Sequence, residues 1–323
     1  MDTTGNYYNR WMTNLPAWIT AAPITCLSIP GTHNSGTSDL EPSLGVAVDQ
    51  SKSIRRMGNT YCGQKVVYNW SKTQTLSITE QLEAGIRFFD FRVAVHPRTL
   101  EFRFVHGLYG GLVPLALRDI NIFLNNNPYE IVILNFSHFY NMSDTAHNML
   151  LTELRTVFGY RLVPPPFSTP NYRMWGTSLQ ALWQTPYRVI VLYHQLESLV
   201  SYPEIWSENY IEAPWANTSN INNLIAFLEE KYSNRRRYNN DTFYVWQGVA
   251  TATTRDIALN LGSSLKSKLA LRATLSFVNW LKNGKRPGPQ GINICSADFV
   301  ESHDFIPTVI QLNQYLQQLP TTF

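Results

Sequence analysis

Short apolar runs alternate along this chain with stretches whose apolar residues recur at helical spacing. Trp11, Leu15 and Trp18 predict a first helical segment laid against the core. Residues 24–28 read as a strand, and Pro30-Gly31 reads as the turn that leaves it and presents His33 and Asn34. Residues 38–64 are mixed in character and predict a long excursion with a short helix, in which Arg55 and Arg56 either meet an anion or, as the preferred reading, face water. Ser77-Ile-Thr-Glu80 is a capping box, and the helix it opens closes at Gly85. Residues 86–93 then predict a buried strand. Its period of two puts Phe88, Asp90 and Arg92 on one face and Phe89, Phe91 and Val93 on the other.

The alternation continues. A strand over 101–105 delivers His106 and Gly107, a helix over 115–124 stops at Asn125-Asn-Asn-Pro128, and a strand over 130–136 reaches Ser137 and His138. A helix over 144–158 ends at Gly159, and Pro164-Pro-Pro166 makes a stiff loop. Further helices are predicted over 179–183, 221–230 and 265–281, with strands over 187–193, 243–246 and 291–298, the last ending on Asp298. Asp304 is placed to cap a final helix that carries Pro307 in its first turn and faces Val309, Leu312 and Leu316 inward. Strand and helix in turn, with no long linker, predict an α/β fold: a single domain over 1–323, core 14–319, built as a closed parallel barrel. Such barrels carry their chemistry at the strands' C-terminal ends, where His33, His106, His138 and Asp298 fall.

Composition narrows the partners. A 44% hydrophobic and 15% charged chain is globular, and a formal net charge of +3 gives no reason to expect a nucleic-acid binder. No apolar run approaches the ~18 residues of a membrane span, and the first ten residues hold no signal-like stretch. Three unpaired-looking cysteines, Cys26, Cys62 and Cys295, suit a reducing compartment. A cytoplasmic monomer is therefore expected.

The chemistry-bearing residues complement one another. Two imidazoles titrating near neutrality can serve as base and acid on opposite sides of one reacting centre. An aspartate bonded to one of them fixes its tautomer, and an arginine matches a phosphate oxygen that gains charge in the transition state. His33, Asp90, Arg92, His106 and Asp298, brought together at one rim, describe phosphodiester cleavage. The bland reading of Asp90 and Arg92 is a structural ion pair. His96, His147 and His303 lack a strand-end setting and are assigned to the surface, whereas His138 and His194 follow strands and are candidates for the pocket wall. Arg235-Arg-Arg237, flanked by Tyr232 and Tyr238, reads as a solvated turn or as a contact for an anionic lipid surface.

Four motifs, Ser28-Ile-Pro-Gly-Thr-His-Asn34, Gly85-Ile-Arg-Phe-Phe-Asp-Phe-Arg92, Phe104-Val-His106 and Ser296-Ala-Asp-Phe299, together with Leu312-Asn-Gln314, resemble in order the X domain of phosphatidylinositol-specific phospholipase C. The likeness is closest to the stand-alone, single-domain X-domain proteins of animals. It implies a distorted (β/α)8 TIM-type barrel and a cyclising attack. His33 would take the proton of the inositol 2-hydroxyl, with Asp298 orienting it. His106 would protonate the diacylglycerol oxygen, Arg92 would stabilise the phosphoryl charge, and Asp90 would support the arginine or the substrate hydroxyl. The products would be diacylglycerol and inositol 1,2-cyclic phosphate, made from phospholipid at a membrane surface by a peripherally bound enzyme.

The chain departs from its models at three positions. Asn34 stands where bacterial members carry aspartate and agrees with calcium-dependent relatives. Arg92 stands where those relatives carry an acidic metal ligand, and its charge disfavours calcium, so no metal or other cofactor is expected. Ser137 replaces a bacterial lysine near the phosphate, with His138 beside it. Asn34, Ser137 and His138 are the substrate-binding candidates. The alternatives are an X-domain protein that binds phosphoinositides or a protein partner with little turnover, and a diesterase for another lipid head group.

Overall fold

The predicted strands lie edge to edge in one sheet, though the first of them starts and stops elsewhere than the apolar pattern suggests. The computed structural model describes residues 7–58, 60–166, 177–235 and 242–317. Its strands are β1 (Ile29–Thr32), β2 (Phe88–Val95), β3 (Phe102–His106), β4 (Leu108–Leu112), β5 (Val132–Tyr140), β6 (Val189–Tyr193), β7 (Trp206–Ser207), β8 (Ile211–Glu212), β9 (Phe243–Gln247) and β10 (Ile294–Ala297). Eight of them run parallel in the order β7-β6-β5-β2-β1-β10-β9-β8. The sheet curls as a distorted (β/α) barrel. It stays open between β7 and β8: among the described residues no ladder joins these two-residue strands, and only the 3-10 turn Glu208–Tyr210 lies between them.

Residues 24–28 are not the first strand. Ile24–Cys26 form a buried 3-10 turn after Pro23, and β1 runs through Pro30 and Gly31 themselves. A strand tolerates them here for two reasons. The Pro30 carbonyl still accepts from the Arg87 amide at 2.9 Å. A Cβ at Gly31 would lie 2.7 Å from the Phe88 ring, so only glycine lets β2 approach this closely.

The strand carrying His106 also differs from a barrel strand. β3 pairs antiparallel with β2 and turns at Gly107 (φ +71°) into β4, an unpredicted strand of sequence Leu-Tyr-Gly-Gly-Leu. The hairpin folds His106 back over the barrel mouth. The 38–64 excursion holds the helix Lys52–Met57 and leads into a second, unforeseen helix, Tyr61–Ser71.

Phe89, Phe91 and Val93 are fully buried on the outer face of β2, and the Phe91 ring meets Phe104 at 4.8 Å and Phe136 at 5.3 Å. At the barrel's other end, Arg87 and Glu130 form a solvent-excluded ion pair at 2.8 Å. Glu130 also accepts from the Thr13 amide and hydroxyl, while Arg87 donates to the Asn9 carbonyl. This pair pins the N-terminal segment beneath β2 and β5. Trp11 is buried there and donates to the Gly85 carbonyl, but Trp18 is 39% exposed on the short helix Ala17–Thr20, so the two do not share a helical face.

The capping box at Ser77 and the left-handed Gly85 form as expected. Asp304 does not cap the helix Phe305–Leu312 with its side chain; it precedes it in the left-handed conformation. His96 and His147 are buried rather than superficial. His96 bonds within the Thr99 turn, and His147 shares a 2.8 Å hydrogen bond with the Tyr193 hydroxyl. Arg235 is no solvated turn residue: it is buried, its guanidinium 4.2 Å from the Tyr244 ring centre. Residues 236–241 lie outside the described residues.

Candidate active site

A cavity of about 790 Å³ opens at the C-terminal ends of the parallel strands. Its floor carries His33, Asp90, Arg92, His106, Ser137 and Asp298. One wall is apolar, formed by Val66, Val67 and Trp70 on one side and Ile257, Leu261 and Leu265 on the other.

His33 follows β1 directly. Its amide donates to the Ala297 carbonyl at 3.2 Å, and its carbonyl accepts from the Gln74 side chain at 2.9 Å. Its Nδ1 lies 2.8 Å from Oδ1 of Asp298, itself 1% exposed at the end of β10. A carboxylate can only accept, so Nδ1 carries the proton and Nε2 presents its lone pair, 3.5 Å from Nη2 of Arg92.

His106 is fixed in the same tautomer by another partner. Its Nδ1 donates to the Ser71 carbonyl at 2.6 Å, which leaves Nε2 free. Burial, with the Arg92 charge adding to it, pushes its pKa down from 6.5 to about 4. The two imidazoles stand 6.3 Å apart by ring centre at 72°, close enough for one phosphoryl group to touch both.

Arg92 and Asp90 share the cavity face of β2, as the period of two predicts, but no ion pair within 4 Å joins them. The Nε of Arg92 is buried with no hydrogen-bond partner. Burial works to raise the Asp90 pKa, and the charges of Arg92 and His33, with a hydrogen bond from Ser137, outweigh it and hold the carboxyl below its ordinary value. Asp90 accepts from the Asn34 amide at 3.2 Å and from the Ser137 hydroxyl at 2.6 Å.

Ser137 and His138 lie inside β5 rather than past its end. The β2 and β5 registers slip between Phe91 and Arg92, so Ser137 is the extra residue of a bulge that turns its hydroxyl toward Asp90. His138 Nδ1 is 2.9 Å from that hydroxyl, which makes a chain from His138 through Ser137 to Asp90. Asn34 is placed otherwise than expected. It is 2% exposed and left-handed (φ +44°), does not line the cavity, and leaves both side-chain polar atoms unpartnered. It meets the site through its backbone.

The family model of the PI-PLC X domain matches residues 58–224. Zebrafish (Danio rerio) PI-PLC X domain-containing protein 3 is 38% identical over 313 residues, covering 96% of this chain and 94% of that protein. The human protein of the same name is 36% identical over 307 residues, covering 94% and 92%. The chain belongs to the PI-PLC X domain family. Its fold is similar to that of the phosphatidylinositol-specific phospholipase C of Listeria monocytogenes, with a TM-score of 0.64 at 19% identity over 94% of this chain and 98% of that one. A Staphylococcus aureus phosphatidylinositol-specific phospholipase C gives 0.65 at 15% identity over 94% and 97%.

Within this X domain, sequence reasoning passed over the residues that hold the two histidines. Ser71, Thr73 and Gln74 act there: Thr73 donates to the His33 carbonyl at 3.2 Å, and Gln74 also reaches the Ala297 carbonyl at 2.9 Å. Ser71 ends the helix Tyr61–Ser71, and Thr73 and Gln74 lie in the polar loop after it, which has neither strand nor helix periodicity to mark it. His194 does line the cavity, its Nε2 2.8 Å from Oδ1 of Asn135. His303 is exposed, as expected.

Proposed function

We propose that this X domain is a metal-independent phosphodiesterase that cleaves phosphatidylinositol-type lipid to diacylglycerol and a cyclic inositol phosphate. The observation that carries the reading is Arg92: a half-buried cation whose Nε is shut off from solvent and unpartnered, with no carboxylate at ion-pair distance among the described residues, beside the His33 Nε2 at 3.5 Å and the His106 imidazole, whose Nε2 is free. A cation whose solvent-excluded donor has no partner calls for an anion, and a phosphodiester supplies one.

His33 takes the proton of the head-group hydroxyl adjacent to the phosphate, and that oxygen attacks phosphorus to close a cyclic diester. Asp298 supports the imidazolium so formed. The bond from phosphorus to the diacylglycerol oxygen breaks as His106 delivers a proton to it. His106 is neutral in the free protein near pH 7, because its pKa is about 4. A phosphodiester seated against Arg92 cancels the adjacent positive charge and attracts a proton, so the acid form arises with substrate binding. Arg92 stabilises the charge that builds on the phosphoryl oxygens.

The donor set does not suit calcium. Among the described residues no group of three or more His, Cys, Asp or Glu side chains is arranged to hold an ion, and Arg92 stands beside Asp90. The apolar wall suits the diacylglycerol side. Tyr61, Leu259 and Leu261 are 83%, 72% and 51% exposed near it and would rest in the membrane interface, and no described helix is long and apolar enough to cross a membrane.

Turnover of phosphatidylinositol vesicles in the presence of a chelator tests the reading. Head-group release is expected from the native chain, with a loss of at least about a hundredfold in His33→Ala and in His106→Ala. Release unchanged in both variants, or abolished by the chelator alone, contradicts it.

A further inference from the structure

His106 sits among charges that pull in opposite directions. Arg92 on β2 and His33 after β1 both oppose its protonation, the helix Tyr61–Ser71 presents the Ser71 carbonyl to its Nδ1, and Asp49 from the 38–64 excursion favours its protonation. Asp49 is fixed against the residue next to His106. The Gly107 amide donates to its Oδ2 at 2.8 Å, and the Ala47 amide donates to the Gly107 carbonyl at 2.8 Å, so residues 47–49 grip the glycine at both its polar atoms. A Cβ at Gly107 would collide with the Ser71 hydroxyl, so the turn is packed between the excursion and the helix. Asp49 also accepts from the side chain of Gln50, which lines the main cavity, at 3.1 Å. Its Oδ1 is shut off from solvent and makes no hydrogen bond among the described residues. A charge kept out of water is weakly screened and acts strongly on its neighbours.

We propose that Asp49 is a positioning residue for His106, supplying the negative charge that lets this imidazole take up and hold the proton it delivers to the leaving oxygen. This deepens the phosphodiesterase reading and rests on it. In the free protein, burial and the Arg92 charge keep His106 neutral. A docked phosphodiester offsets Arg92, and the Asp49 charge then acts without that opposition. A proton from bulk water settles on Nε2, while Nδ1 keeps its bond to the Ser71 carbonyl. When the bond from phosphorus to the diacylglycerol oxygen breaks, that proton passes from Nε2 to the oxygen and the imidazole returns to its neutral form. Asp298 serves His33 through a direct 2.8 Å bond. Asp49 acts on His106 through space, because the Ser71 carbonyl already takes Nδ1, so its charge matters more than its shape.

The test compares two substrates in the presence of a chelator: phosphatidylinositol vesicles, whose leaving oxygen needs a proton, and an inositol phosphodiester of nitrophenol, whose leaving group departs as the anion. Asp49→Asn keeps an acceptor for the Gly107 amide and removes the charge. It is expected to lower kcat on phosphatidylinositol by at least about tenfold with little change in KM, and to lower cleavage of the nitrophenyl ester by less than about threefold. The alkaline limb of its kcat profile on phosphatidylinositol should move down by about one pH unit, because an acid that has lost a nearby negative charge gives up its proton more readily. Asp49→Glu, which keeps the charge, should retain at least about a third of the native rate on the lipid. An equal loss on both substrates, no loss on the lipid, or a loss in Asp49→Glu as large as in Asp49→Asn overturns this inference and leaves the phosphodiesterase reading standing. No cleavage of either substrate by the native chain overturns both.

Discussion

His106 ties the proposed chemistry to a measurable cost in stability. Its pKa falls from 6.5 to about 4 in the folded protein, through burial first and the Arg92 charge second. Below pH 6.5 the unfolded chain therefore binds a proton at this position that the folded chain does not. Stability from this group is intact above 6.5 and is lost as pH falls toward 4. With those two values the loss between pH 7 and pH 5 is roughly 2 kcal/mol. His138, His147 and His194 are shifted in the same direction, so the native protein alone cannot isolate the effect. His106→Asn can, because its amide still donates toward the Ser71 carbonyl but does not titrate. Urea unfolding of both proteins at pH 7 and pH 5 gives the comparison. The variant should lose about 2 kcal/mol less than the native chain over this interval. An equal loss in the two would refute the claim that His106 is held neutral by its surroundings, and with it the proposal that substrate brings the acid its proton.

Two further substitutions separate site from scaffold. Arg92→Met should lower kcat/KM on phosphatidylinositol vesicles by about a hundredfold to a thousandfold, the usual cost of removing one preorganised charge-stabilising group. A change of less than threefold would show that the phosphate is held elsewhere. Glu130→Gln leaves Arg87 charged in a solvent-excluded position at the closed end of the barrel and should cost about 3–5 kcal/mol in urea unfolding. A cost below 1 kcal/mol would mean that the pair does not fasten the N-terminal segment.

The residues that were legible in the chain are those whose local pattern and tertiary role agree. The face assignment along β2 held because a strand fixes side-chain direction by sequence position alone, so Asp90 and Arg92 reach the cavity while Phe89 and Phe91 reach the core. Ser77 and Gly85 signal a helix's ends by chemistry within one turn of it. What escaped notice depends on distant partners. β1 passes through Pro30-Gly31 because the Phe88 ring needs the space, which no window around residue 30 reveals. β4 reads as a loop because two of its five residues are glycine, yet it pairs antiparallel with β3. His147 has polar neighbours in the chain, but a buried tyrosine hydroxyl 46 residues away takes its ring inward. Asn34 shows the same limit at the site itself. Its neighbour His33 announces the motif, whereas the left-handed backbone that turns the Asn34 side chain away from the cavity appears only in three dimensions.

The most direct test of the proposed chemistry is the identity of the first product. Phosphorus-31 NMR of phosphatidylinositol micelles incubated with the native protein and a chelator should show the five-membered cyclic diester of inositol 1,2-cyclic phosphate appearing before any inositol 1-phosphate. Formation of the monoester with no cyclic precursor, or of neither product, would contradict an attack by the head-group hydroxyl between His33 and His106.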